Sequence, residues 1–349
     1  MTAAARVLIV DDSITMRALF TSALEKDKNI EVLGAARDVI EAREMIAELR
    51  PNVLTLDVEM PGMNGIDFLA ELMAERPIPV VMLSTLTQKG ADISLRAIEL
   101  GAVDCFPKPQ KATAEEFAKI SGKLCKTVLT AARTNLEARA KAKDAVDLSA
   151  SFNYRWNGQV IAIAGGMGSI DPATVAVTSL PTNCPPTIVS LAIDEALSAS
   201  LTANLNKDCR AQIKIAEDGA LLEPGIIHVA VDPRYHVVID SWPNGRIRLV
   251  ERDPVNGARP SADLLMASLA KTVGAKGVDL LLSGGGEDGA AGMGALRAAE
   301  GTCLLQSPDT ALIPEMIGAA IAKGIMNFVP PAEFGARLCP PDEATQNAA

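Results

Sequence analysis

Three carboxylates open the chemistry of this chain. Asp11 and Asp12 stand where one apolar run, RVLIV, stops, and Asp57 stands where another, VLTLD, stops. In a parallel sheet such strand ends share the carboxyl edge, where ligands bind. Carboxylates gathered there repel one another unless a cation sits among them, and a hard divalent ion held by few carboxylates and several waters points to Mg2+. Ser84 at the end of VVMLS and Lys108 just after VDCF add a hydroxyl and an ammonium. That inventory suits transfer of a phosphoryl group to an aspartate, with metal and lysine offsetting charge and the hydroxyl binding the new phosphate. Singly, each residue reads equally well as a cap or a surface ion pair; five together at strand ends favour the chemistry.

A second region reads VIAIAGGMGSIDP, a buried strand running through a glycine turn into a helix. Hydrolases present a nucleophile at such a turn, yet Gly166 stands at its crown. Ser169 and Asp171, just before Pro172, read as helix N-caps, with a relocated nucleophile as the alternative for Ser169. Ser283 closes VDLLLS and is placed to donate a hydrogen bond to Asp288. Of the two histidines, His228 inside GIIHVAV reads as packed; His236 in DPRYH reads as structural, with a replacement base as the alternative. Neither lies at metal-ligand spacing from a cysteine, which argues against a zinc hydrolase. SGGGEDG lacks the spacing of a nucleotide-binding loop and reads as a tight turn.

The elements that must position these groups are visible as periodicity. Five short apolar runs separated by helical segments fill the first 110 or so residues, implying a parallel sheet covered on both faces. Residues 113 to about 130 read as a last packed helix. Strand-like runs resume with QVIAIA, TIVSLAI, GIIHVAV, HVVID, VDLLLS and TCLLQ, interspersed with helical stretches. The 349 residues, 48% hydrophobic and 3% aromatic, suit two aliphatic α/β cores. A net charge of -10 opposes general affinity for nucleic acid or anionic membrane. Six scattered cysteines and a start without a signal pattern fit a cytoplasmic location, and no apolar run approaches the ~18 residues of a spanning helix.

The motifs VDDS, LDVEMPGMNG, LST and FPKP resemble those of two-component response-regulator receiver domains, over residues 1 to 123. The resemblance implies a doubly wound (βα)5, flavodoxin-like fold. It implies that Asp57 accepts a phosphoryl group from a histidine kinase, that Asp11, Asp12 and Asp57 hold Mg2+, that Lys108 contacts phosphate and that Ser84 is the switch hydroxyl. One departure is Cys105, where many receivers carry a switch aromatic. Phe106 beside it faces the other side of the strand and cannot stand in.

After an expected linker over residues 124–157, residues 158–341 resemble the effector domain of the chemotaxis protein-glutamate methylesterases, the CheB family. The resemblance rests on KIAEDGALLEPGIIHVAVDPRYHVVID, RPSADLLMASLA and LLLSGGGEDGAAGMGALRAAEG. It implies a second α/β domain, chemoreceptor glutamyl methyl esters and glutamines as targets, and a serine, histidine and aspartate triad. Aligned residue by residue, Gly166 falls at the serine, Ala192 at the histidine and Asp288 at the aspartate, while Gly285 falls where the family often has methionine. An aspartate without its histidine has nothing to orient, so the expectation is a degenerate site acting by phosphorylation-controlled binding. A methylesterase or deamidase with a rearranged site is the alternative. The tail, residues 342–349, is expected to be disordered.

Overall fold

The computed structural model describes residues 4–84, 88–109, 111–138, 154–193 and 197–340. The chain divides into two compact units between Leu136 and Glu137.

In the first unit, strands β1 (Ala5–Val10), β2 (Ile30–Ala36), β3 (Val53–Asp57), β4 (Val80–Ser84) and β5 (Asp104–Pro107) form one parallel sheet in the order β2-β1-β3-β4-β5. Strands β3 and β4 are buried along their whole length, because helices cover both faces. Those helices are α1 (Ile14–Leu24), α2 (Val39–Leu49), α3 (Gly65–Glu75), α4 (Gln88–Leu100) and α5 (Ala114–Ala131). Polar residues start four of them. Ser13, Asp38, Asn64 and Thr113 each accept a hydrogen bond from an amide of the first turn they precede. Strand ends and helix starts are therefore fixed within a few residues of Asp11, Asp12 and Asp57.

The boundary expected at residue 123 falls inside α5. Leu124, Cys125, Val128 and Ala131 are all buried, so this apolar face keeps the helix within the first unit to Ala131. Most of the remaining linker, residues 139–153, and the tail expected over 342–349 lie outside the described residues. Cys105 and Phe106 diverge as strand alternation requires. The Cys105 thiol meets the Ser94 carbonyl of α4 at 3.3 Å, whereas the Phe106 ring lies 6.0 Å from Lys123 Nζ of α5.

The second unit is built on a seven-stranded parallel sheet, ordered β14-β13-β12-β6-β7-β9-β8. Its strands are β6 (Val160–Gly165), β7 (Thr187–Leu191), β8 (Gln212–Ile215), β9 (Ile226–Ala230), β12 (Gly277–Leu281), β13 (Thr302–Gln306) and β14 (Phe328–Val329). An antiparallel hairpin of β10 (His236–Ile239) and β11 (Ile247–Val250) stands apart from it. The helices are α6 (Ile170–Thr178), α7 (Ser198–Asp208), α8 (Ala262–Thr272), α9 (Ala290–Ala298), α10 (Glu315–Ala322) and α11 (Phe334–Leu338). One core joins β6, β7, β12 and the hairpin to α8, α9 and α10 through Ala162, Ile188, Val237, Leu265, Met293 and Ile317. Gly292 lets α8 and α9 approach, since a β-carbon there would fall 2.8 Å from the Asp263 carbonyl oxygen. Beneath this packing Asp279 of β12 is wholly buried, and neither carboxyl oxygen has a well-formed hydrogen bond. Burial drives its carboxyl well above the ordinary aspartate range, opposed weakly by the Leu304 amide and the Cys303 thiol.

Candidate functional site

The first constellation grows from three neighbouring strand ends. β1 stops at Val10, which pairs with Leu56, and Asp57 pairs with Leu83, so the residues that follow β1 and end β3 meet at one edge. Oxygen atoms of Asp11, Asp12 and Asp57 all lie within 4.8 Å of one another. Asp11 and Asp57 are buried while Asp12 is exposed. Lys108 emerges from β5, held by a hydrogen bond from its amide to the Ser84 carbonyl, and spans the cluster. Its Nζ lies 2.8 Å from Asp11 Oδ2 and 2.7 Å from Asp57 Oδ2. Ser84 closes β4, buried beside this edge.

Backbone geometry holds the carboxylates in place. The Ser13 amide donates to Asp11 Oδ1 at 2.9 Å and the Glu59 amide to Asp57 Oδ1 at 3.2 Å. Arg17 Nη1 donates to the carbonyls of both Asp11 and Asp12, at 2.8 and 2.9 Å. Gly65 is required by close approach, since a β-carbon there would fall 1.8 Å from the Asp57 carbonyl oxygen. Burial pushes the Asp57 carboxyl up from its ordinary value, against the opposing pull of Lys108. On Lys108 burial acts to lower the ammonium, but Asp11 and Asp57 outweigh it and hold the group above the usual lysine value. Three carboxylates sharing one ammonium leave excess negative charge, and oxygen donors of this kind suit Mg2+.

The second constellation lies at the carboxyl edge of the larger sheet, where β12, β6 and β7 are neighbours. Gly166 follows β6 and Ala192 follows β7, and the Ala192 amide donates to the Gly165 carbonyl at 3.0 Å. The Gly166 amide donates to the Ser283 carbonyl at 3.0 Å, which brings in the end of β12. A β-carbon at Gly166 would meet Gly284 Cα at 3.5 Å, Met316 Sδ at 3.6 Å and the Gly285 nitrogen at 3.9 Å, all ordinary contacts. The position has room for a side chain and carries none. Gly284 is the opposite case, since its β-carbon would fall 2.0 Å from Met316 Sδ.

Two expectations about hydroxyls change here. Ser169 does stand at the start of α6, but its hydroxyl caps no amide; it donates to the Gly166 carbonyl at 2.6 Å and is wholly buried. It bonds to the turn because its own backbone is already helical, which aims the side chain backwards. Ser283 does not reach Asp288. Its Oγ accepts from the Ile313 amide at 2.9 Å and lies 3.2 Å from the Met167 carbonyl, so it braces two loops.

Asp288 meets no histidine, but is itself held by three donors. Oδ1 accepts from Ser261 Oγ at 2.7 Å and from the Asp263 amide at 3.1 Å, and Oδ2 accepts from the Ala262 amide at 2.7 Å. All three come from the start of α8, where a carboxylate is favoured by unpaired amides and the helix dipole. Burial still raises its carboxyl above the ordinary range, opposed by these donors. Ser261 is the partner sequence reasoning missed, although a serine just before the apolar run ADLLMASLA is itself an N-cap signal.

The histidines are engaged elsewhere. His236 is wholly buried; its Nδ1 accepts from the Ser261 amide at 3.1 Å and its Nε2 faces the Asp253 carbonyl at 3.1 Å, leaving no ring nitrogen for a nucleophile. His228 Nε2 contacts the Leu221 carbonyl at 3.1 Å, and burial lowers its imidazole from the ordinary histidine value.

Similarity to known proteins follows this division. Residues 7–117 match the model of the response regulator receiver domain, and residues 161–338 match that of the CheB methylesterase. The chain is 43% identical over 321 residues to protein-glutamate methylesterase/protein-glutamine glutaminase 1 of Caulobacter vibrioides, spanning 91% of this chain and 92% of that protein. It is 38% identical over 342 residues to the protein-glutamate methylesterase/protein-glutamine glutaminase of Agrobacterium fabrum, spanning 97% of each. The crystal structure of the Thermotoga maritima CheB methylesterase catalytic domain shares its fold, with a TM-score of 0.50 and 23% identity over 52% of this chain and 98% of that one.

Proposed function

The chain belongs to the CheB methylesterase family, with a receiver domain before the methylesterase domain, and from that premise we propose a phosphorylation-controlled regulator that binds its target without hydrolysing it. A histidine kinase phosphorylates Asp57 in this reading, and the targets are chemoreceptor segments bearing glutamate side chains. Residues 158–341 bind them, and the receiver covers residues 1–123 together with the rest of α5.

Asp11, Asp12 and Asp57 would hold Mg2+, which supplies positive charge to the oxygens of the transferring phosphoryl group. Within the chain, Lys108 offsets charge beside Asp57, and Ser84 offers a hydroxyl to the new phosphate. Arg17 and the Ser13 and Glu59 amides keep the carboxylates from relaxing apart.

One observation carries the binding reading: the adjoining strand ends at Gly166 and Ala192 bear neither hydroxyl nor imidazole, while both histidines of the chain are engaged elsewhere. A serine becomes a useful nucleophile only beside a general base, and among the described residues the Gly166 and Ala192 positions supply neither.

The relatives' names favour a second reading, a working methylesterase or glutaminase. Methanol release from methyl-labelled receptor by the phosphorylated chain separates the two. Release near background, with the Caulobacter vibrioides relative as positive control, supports binding; turnover comparable to that relative and abolished by Asp288→Ala establishes hydrolysis. Asp57→Ala tests the switch, which fails if the variant loses phosphorylation but binds receptor as the phosphorylated parent does.

A further inference from the structure

The space over Asp57 exceeds what one phosphoryl group needs, with a cavity of about 800 Å³. Asp57 lies on its lining, Ile66 and Ile93 give it apolar wall, and exposed Arg96 of α4 borders it too. Asp12, Glu59 and Asp67 make much of the remaining lining acidic, an obstacle to any anionic phosphoryl donor. Two cations line the cavity. Lys108 is committed to Asp11 and Asp57, whereas Arg96 joins no ion pair among the described residues.

We propose that Arg96 recruits the leaving-group side of small-molecule acyl phosphates and makes the cleft favour them over phosphoramidates among small donors, apart from any transfer from a kinase histidine. The inference rests on Asp57 being the phosphoacceptor. A carboxylate oxygen of Asp57 attacks phosphorus and forms the new O–P bond while the donor's bridging O–P bond breaks. The leaving group takes the electron pair away as a free carboxylate. Attack from Asp57 directs that departing group away from the carboxylate cluster, into the open part of the cleft that Arg96 borders. Guanidinium matches carboxylate in charge and in fork geometry. A donor that loses ammonia gives Arg96 no anion to bind.

The test uses the full chain, saturating Mg2+, and acetyl phosphate and phosphoramidate as donors, with initial rates of Asp57 phosphorylation followed at several concentrations. For Arg96→Gln we expect the KM for acetyl phosphate to rise about threefold to fivefold, the scale of one exposed ion pair. The phosphoramidate rate should stay at the parent value, and Arg96→Lys should restore most of the acetyl phosphate effect. The difference between donors should shrink as ionic strength rises. Equal loss with both donors, or no loss with either, overturns the role of Arg96. A parent chain that accepts phosphoryl from neither donor overturns the reading of Asp57 and this inference with it.

Discussion

Replacing Asp279 should stabilise the second unit, and by an amount that grows with pH. The residue is 0% exposed on β12, between β6 and β13, and its oxygens lack well-formed partners. Its carboxyl is held well above the ordinary range, chiefly by burial. The folded state therefore keeps a proton that the unfolded state releases above about pH 3.9. Stability contributed by this site is fully present below that pH and is lost as pH rises towards the folded value, at up to about 1.4 kcal/mol per unit. Asp279→Asn keeps the shape and removes the titration, whereas Asp279→Val also removes the unmet polar group. An unsatisfied buried polar group costs about 1–3 kcal/mol, and at about 2–4 °C per kcal/mol in a domain of this size Asp279→Val should raise Tm by about 2–12 °C. Both tryptophans, Trp156 and Trp242, lie in this unit and pair at 6.1 Å, so their fluorescence reports its unfolding directly. Melts of parent and both variants from pH 5 to pH 8 test the sign. Stability differences from the parent that are flat or shrinking as pH rises would refute the claim that Asp279 is protonated in the fold.

Three further outcomes follow from the geometry. Gly65→Ala forces a β-carbon into the Asp57 carbonyl, so it should destabilise the first unit by about 1–3 kcal/mol in urea titration and slow Asp57 phosphorylation. A β-carbon at Gly166 meets only ordinary contacts, so the Tm of Gly166→Ser should stay close to the parent's; with Ala192→His added, methanol release from methylated receptor should rise above background, and no rise would show that Gly166, Ala192 and Asp288 do not form a working geometry. Ser261→Ala removes a cap of α8 and a donor to Asp288, and should cost the second unit about 1 kcal/mol in denaturant unfolding while leaving phosphorylation untouched.

Strand ends made the first constellation legible. An apolar run that stops at a carboxylate fixes both the element and the edge where its last side chain emerges, so Asp11, Asp12, Asp57 and Lys108 could be brought together from their places in sequence alone. The α/β architecture of both domains was legible for the same reason. Strands β8 and β11 escaped because they are short and partly exposed, with QIKI and IRLV interrupting apolar residues by charged ones. β14 has only two residues and exists by pairing with β13. Partners far apart in sequence escaped too. Nothing near Asp288 announces that its donors lie some 25 residues earlier, and the bonds of Ser283 join loops about 30 and 116 residues away. The extent of α5 was legible to about residue 130, but the domain boundary was drawn at 123, inside it, because residues 124–131 carry their apolar face among charged and small residues and only burial shows which unit owns it.

The cap that Asp288 places on α8 gives this carboxylate a second occupation, independent of any reaction at the strand ends. Its oxygens hold two backbone amides and one hydroxyl at the start of a helix that packs on the central sheet. A mutation there would be felt by every molecule during folding, whereas one at Gly166 would be felt only by those meeting a target. The start of α8 therefore depends on this carboxylate whatever side chains stand at Gly166 and Ala192.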